Sequence, residues 1–254
     1  MVTGSELEKV VYAYWANRFG CAPESFRRAG TVIARDKVLG EAGLVYVYGI
    51  DQRSVVRIGA ELASGIGLVR WDGDASTALS VEELRAMIEP FYAVVRGRTL
   101  LICYLDGEQF QPFRGSGDLG ARRVHPQWDN ELLIDLYDAC TEADLDEAEI
   151  YVDEPDSVIF GLFDEGLLAA YAGHRYWGET IADIGVLIRP EYRSRGLGKA
   201  VVTLLCEWCL DNDVLPMYRV PADHLHSRGI ARALGFQEMV VVKTLELETM
   251  ANAG

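Results

Sequence analysis

The most constraining stretch of this chain is residues 180–210, TIADIGVLIRPEYRSRGLGKAVVTLLCEWCL. Thr180–Ile188 has the composition of a strand. Ala200–Leu210 reads as a helix, because Leu197, Val201, Leu204, Leu205 and Trp208 fall on one stripe. Between them, RPEYRSRGLGKA sets three arginines and a lysine beside two glycines. A strand that turns into a helix over so short a glycine-bearing loop commits this part of the chain to an α/β arrangement. The first N–H groups of the helix converge there, its dipole favours negative charge, and the glycines allow close backbone approach. The expected ligand is a phosphate or pyrophosphate. Two familiar phosphate loops are excluded. A Walker loop needs Gly at 193 and Ser or Thr at 200, where Arg193 and Ala200 stand; a dinucleotide fingerprint needs Gly or Ala where Val201 stands. Read alone, the stretch is equally a glycine-rich turn with solvated arginines.

The loop lies in the acidic half of the chain. Residues 1–125 hold 15 Lys+Arg against 15 Asp+Glu, and residues 126–254 hold 9 against 24, the whole of the net −15. This asymmetry points to two units with different tasks, divided as 1–122 and 123–254. It also argues against a nucleic-acid partner, which needs a basic footprint. No apolar run approaches a membrane span, and the start, MVTGSELEKVVYAYW, lacks the pattern of a signal peptide. Five scattered cysteines fit reduced thiols, so a cytoplasmic protein is expected. Cys206-x-x-Cys209 falls inside the predicted helix with no second pair, so it reads as packing and no metal site is expected.

In the first half, residues 5–19 read as a helix, and Thr31–Ala34, Leu44–Tyr48, Val55–Ile58 and Thr99–Tyr104 as strands. Ser80 and Glu83 form a capping-box pattern. FRGSGDLGARRVHPQW, residues 113–128, has the content of a connector. In the second half, Asn130–Cys140 is an amphipathic helix, and Thr141 with Asp144 caps a second. Val158–Phe163 and Leu167–Ala172 are strands of a hairpin around Asp164-Glu165-Gly166. After the loop and its helix come a strand (Leu215–Val220), a helix (Ser227–Leu234) that Gly235 should stop, and a closing strand (Met239–Leu247).

Taken with SRGIARALGF at 227–236, this arrangement resembles the GCN5-related N-acetyltransferase (GNAT) superfamily. The family's acetyl-CoA loop, R/Q-x-x-G-x-G/A, is matched by Arg193, Gly196 and Gly198. Its later signature, a helix of Asn-x-x-Ser type ending in Leu-Gly-Phe, is matched by Ser227, Leu234, Gly235 and Phe236. The resemblance covers roughly residues 126–250. It implies an α/β (α+β) fold with a mixed, mostly antiparallel central sheet flanked by helices, and acetyl-CoA as cosubstrate. The CoA pyrophosphate would sit on the amides of Ser194, Arg195, Gly196, Leu197, Gly198 and Lys199. The pantetheine arm would pair with Val186, Leu187 and Ile188, on a strand that splays from the next. Backbone N–H groups in the slot would polarise the acetyl carbonyl. A neutral primary amine would attack the thioester directly while a base takes its proton.

Two positions depart from the family pattern. His224 stands where the signature has Asn, and it is carried as a candidate contact of the CoA arm. Ala231 stands where a tyrosine often protonates the leaving thiolate, so Tyr218 or His224 would have to serve, or the thiolate leaves unassisted. For the base, Asp183 lies on the strand before the loop, where family members often carry an acid; it also reads as a salt-bridged strand residue. Glu179 and His174 are further candidates, His174 reading equally as a surface residue of a hairpin loop. Tyr171, Tyr176 and Trp177 either line an acceptor pocket or cap the sheet.

Two readings of the first half stay open: a degenerate copy of the same fold, or an unrelated α+β cap that shapes the acceptor site or forms a homodimer. The expected function is acetyl-CoA-dependent N-acetylation of a primary amine. Fourteen acids without a Lys or Arg between residues 123 and 175 point to a cationic acceptor, a small molecule or a peptide. The alternatives are a non-catalytic acetyl-CoA-binding regulator, favoured by Ala231, and a protein that uses the fold only as an interaction scaffold.

Overall fold

The structure is a computed structural model that describes residues 4–36, 39, 43–68, 79–115, 117–148 and 157–249. The chain divides into two compact units, at other seams than the halves 1–122 and 123–254. One comprises Ser5–Ile102, Val220–His224 and Glu238–Gly254; the other comprises Met1–Gly4, Cys103–Arg219 and Leu225–Gln237. The expected boundary followed the Gly, Ser and Pro content of residues 113–128. The chain instead leaves the first unit inside TLLICY, an apolar strand that carries no turn signal.

The first unit holds helices α1 (Gly4–Phe19), α2 (Ala60–Gly65) and α3 (Val81–Ile88). Its strands are β1 (Gly30–Asp36), β2 (Leu44–Ile50), β3 (Arg53–Gly59), β4 (Tyr92–Tyr104) and, late in the chain, β10 (Gln237–Thr249), in the order β1-β3-β2-β10-β4. β1 runs parallel to β3, whereas β2 is antiparallel to both β3 and β10. The capping box forms as expected: Ser80 Oγ accepts from the Glu83 amide at 3.1 Å and Glu83 accepts from the Ser80 amide at 2.8 Å, a device worth about 1 kcal/mol. Val47, Val56 and Ile58 of the strands, Leu62 of α2, Leu84 and Ile88 of α3, and Leu245 of β10 share one core.

The second unit holds β5 (Gly120–Val124), α4 (Pro126–Asp138), α5 (Glu142–Ala148), β6 (Ile159–Asp164), β7 (Leu167–Trp177), β8 (Ile181–Ile188), α6 (Leu197–Asp211), β9 (Leu215–Pro221) and α7 (Leu225–Leu234). The strand order is β9-β8-β7-β6-β5, antiparallel from β5 to β8 and parallel between β8 and β9. This is the expected mixed, mostly antiparallel sheet. Strand alternation gives it two covered faces. On one, Leu133 and Leu136 of α4 and Ala148 of α5 pack with Tyr171 and Leu187. On the other, α6 covers β7, with Trp208 stacked on His174 at 5.5 Å.

Two elements differ from expectation. β5 lies inside the expected connector; only Val124 of its five residues is buried, so no alternation marks it. β7 continues past Ala172 to Trp177, which puts His174 in mid-strand rather than in a hairpin loop. Among the described residues, no helix is long and apolar enough to cross a membrane.

Candidate active site

The site begins where β8 and β9 part. Their pairing joins Ile181 to Leu215, Ala182 to Pro216 and Asp183 to Met217, whereas β8 runs on to Ile188. Paired strands lie ~4.8 Å apart, too close to admit another chain, so only such a fork can take an extended guest. Past the fork, Val186, Leu187 and Ile188 offer that guest the backbone groups of a strand edge.

β8 leads into the loop through a short 3-10 turn, Pro190–Tyr192. Ser194 (φ 62) and Gly196 (φ 81) both take left-handed conformations there, at no steric cost for the glycine. Gly196 is the N-cap of α6, and the helix's first internal bond runs from the Ala200 amide to the Gly196 carbonyl, 3.1 Å. The N–H groups of Leu197, Gly198 and Lys199 therefore have no partner within the helix, as an anion site requires. Gly198 has a second task. A Cβ added there would lie 2.8 Å from Ile230 Cδ1 and 3.0 Å from Ile188 Cδ1, so the glycine lets α6 settle against β8 and α7.

The basic residues of the loop are largely held by the acids around them. Arg193 pairs with Asp144 of α5 at 2.8 Å, and its Nε donates to the Ile188 carbonyl at 3.4 Å. Burial pushes Asp144 up, but bonds from Thr141 and Arg193 outweigh it and hold its carboxyl at about 2. Arg189 pairs with Asp135 of α4. Arg195 lies 4.9 Å over the Tyr192 ring, whose hydroxyl donates to Asp164 at 2.7 Å. Lys199 sits 4.3 Å over the ring of Phe113, whose amide donates to Thr203 of α6 at 3.0 Å. Much of the acidity around the loop thus serves to hold it.

The expected catalytic residues are dispersed. Asp183 stands at the last rung before the fork, 1% exposed, but its carboxylate is engaged. Arg219 Nε lies 3.0 Å from both of its oxygens, Arg219 Nη2 2.7 Å from Oδ2, and Arg175 Nε 3.4 Å from Oδ2. These contacts are those of a salt-bridged strand residue, the other reading the sequence offered for Asp183. His174 is fully buried on the opposite face, and neither ring nitrogen has a hydrogen-bond partner. Burial drops its pKa to about 4, leaving a neutral ring in the core rather than the surface residue of a hairpin loop. Glu179 is exposed in the β7–β8 turn, before the paired rungs.

Tyr218 is better placed, on β9 immediately after the last rung and 3% exposed. Burial holds its hydroxyl well above the ordinary tyrosine range, and a hydrogen bond with Ser227 of α7 pulls the other way. Ser227 thus meets Tyr218. His224 falls in the other compact unit, its amide on the Pro221 carbonyl at 3.0 Å. Tyr171 packs into the core under α4, while Trp177 covers Arg219 at 5.0 Å. Sequence reading missed Arg219, Arg175, Phe113 and Glu147. Arg219 and Phe113 act through partners distant in sequence, and Arg175 through Asp183 across the β7–β8 hairpin; Glu147 is an exposed acid of α5.

Comparisons with known proteins bear on the family and the fold. The acetyltransferase (GNAT) family model matches residues 125–236. An acetyltransferase from the GNAT family of Colwellia psychrerythraea superposes with a TM-score of 0.51 at 14% identity, covering 78% of this chain and 77% of that one. A conserved protein of unknown function from Staphylococcus epidermidis gives 0.50 at 12% identity, covering 75% and 78%. A GNAT-family protein from Novosphingobium aromaticivorans is 21% identical over 64% of this chain and 69% of its own, with a TM-score of 0.47. At their identities the likeness to the Colwellia and Staphylococcus proteins is one of fold. No curated protein matches the chain. Residues 125–236 are an acetyltransferase domain of the GNAT family, carried in the C-terminal half of the chain.

Proposed function

We propose that the chain moves an acetyl group from acetyl-CoA to a primary amine by direct attack on the thioester. The observation that carries this reading is the fork between β8 and β9, opening onto the left-handed loop and unpartnered amides at the start of α6. The amides of Leu197, Gly198 and Lys199 hold the pyrophosphate, and the edge of Val186, Leu187 and Ile188 aligns the pantetheine arm. Tyr218 takes over the task that Ala231 cannot perform. With Ser227 at its oxygen, its own O–H donates to the sulfur as thiolate develops. An exposed carboxylate of α5 takes the proton of the incoming amine, Glu147 being the one tested below.

The exposed acids Glu131, Asp138, Asp146 and Glu147 on α4 and α5 favour a cationic acceptor, which they would draw in at low salt. Asp153, Glu154 and Asp156, which belong to the same acidic run, lie outside the described residues.

The test is thiol release from acetyl-CoA with a panel of amines, polyamines, aminoglycosides and basic peptides. A cationic acceptor should give the highest kcat/KM, with a KM that rises with salt. Tyr218→Phe and Glu147→Gln should each lower kcat about 100-fold, the lower range for general acid–base groups, without weakening CoA binding. Tight CoA binding with no turnover on any amine would favour the regulatory reading instead.

A further inference from the structure

We infer that the Asp183–Arg219 ion pair is the pin that fixes where β8 and β9 part, and so the depth at which a thioester comes to rest. The inference deepens the acetyl-transfer reading and rests on it. Asp183 and Met217 form the last rung. Arg219 stands two residues further along β9, on the same face as Met217 by alternation. Had the ladder continued in register, Arg219 would lie opposite Gly185. Instead its guanidinium reaches back along the strand and closes on both oxygens of Asp183 at 2.7–3.0 Å.

The pin is anchored from the other side as well. Arg175 faces Asp183 across the β7–β8 ladder and lies 3.4 Å from Oδ2, so three strands are tied at the one level where the sheet opens. Trp177 covers the Arg219 guanidinium at 5.0 Å. With side chains only 1% and 14% exposed, Asp183 and Arg219 are poorly screened, and separating them leaves charge uncompensated. The next residue on that face of β8 is Gly185, so bare backbone follows the pin. Asp183 is on this account a positioning residue.

Asp183→Asn and Arg219→Gln test it together, because a base and a pin predict different pairs of results. A pin predicts that both variants lose about 100-fold in kcat, the scale of a misplacement near 1 Å, with similar CoA affinity and an unchanged acid limb in the pH–rate profile. The double variant should then be little worse than either single one, as expected of coupled partners. Loss of the acid limb in Asp183→Asn, with parental kcat in Arg219→Gln, would make Asp183 the base and overturn the pin. Should Asp183→Asn fail to fold, Arg219→Lys, which keeps the charge and loses the fork-shaped contact, should still lose at least tenfold in kcat; a parental rate there also overturns it. Amide hydrogen exchange reads the pin without turnover. Amides of the last rungs, those of Ile181, Ala182, Asp183, Leu215 and Met217, should exchange at least tenfold faster in both variants, and unchanged exchange refutes the pin. A parent protein that releases no thiol with any amine counts against the transferase reading alone.

Discussion

His174 and Arg175 are neighbours on β7, and they carry polar groups onto opposite faces of one sheet. Arg175 joins Arg219 around the Asp183 carboxylate, so two guanidiniums share one carboxylate. His174 lies against Trp208 and, at 4.8 Å, Tyr176, with no hydrogen bond on either nitrogen. The difference teaches what each face tolerates. At the fork the sheet is open and charge is retained, the buried carboxylate held between two guanidiniums. Behind it the sheet is closed, and a ring is held by packing alone, with burial keeping it neutral.

The largest effect should come from breaking the compensated side. Asp183→Ala leaves two guanidiniums facing each other in a half-enclosed site, and the loss should be about 3 kcal/mol, near the lower end for a disrupted buried pair because Arg175 can turn toward water. Urea unfolding measures it. Replacing Asp183 and Arg219 together by Ala and Met should recover most of the loss, since no buried charge then lacks a partner. A single variant within 0.5 kcal/mol of the parent (about the scatter of surface substitutions) would show that the cluster is not held as a buried pair.

The uncompensated side predicts a pH effect. His174 titrates at about 4 in the folded chain against an ordinary 6.5. As pH falls below 6.5 the unfolded chain takes up the proton first, so stability drops between pH 6.5 and 4 and levels off below. The shift amounts to about 3 kcal/mol over that window. His174→Phe keeps the ring contacts and removes both unpartnered nitrogens. It should match or exceed the parent at pH 7, since no desolvated polar group remains, and should lack that part of the acid loss. Identical pH profiles of stability for parent and variant would show that His174 reaches water.

The same contrast marks what was legible in the sequence. β8, its loop and α6 could be read because strand composition, paired glycines and a helical stripe follow one another within thirty-one residues. The position of Asp183 on β8 was legible; its partner was not, because Arg219 lies 36 residues away and only the parallel β8–β9 pairing brings it back. His174 was misplaced because HRYW lacks the apolar run of the preceding LLAAYA, although the strand continues through it. β5 was hidden for the opposite reason, four of its five residues being exposed. Phe113 was read as connector because glycine and arginine surround it, and nothing local shows that its amide meets Thr203, 90 positions on.

The smallest effect is expected at the loop, and it asks whether burial or pairing sets the size of the first. Arg193 and Asp144 repeat the chemistry of the pin at nearly the same distance, 2.8 Å against 2.7 Å. Exposure is what differs: 43% and 23% for Arg193 and Asp144, against 14% and 1% for Arg219 and Asp183. Asp144 titrates at about 2, below the ordinary carboxylate, so its stabilisation is present above pH 4 and is lost as pH falls toward 2. Solvent screening reduces that contribution to about 0.5–1 kcal/mol. Asp144→Asn should therefore cost no more than this in urea unfolding at neutral pH, part of it through the cap it shares with Thr141, and added salt should shrink the difference. If the loss instead approaches the ~3 kcal/mol expected for Asp183→Ala, pairing and not burial governs both sites, and the contrast between the faces of the sheet fails.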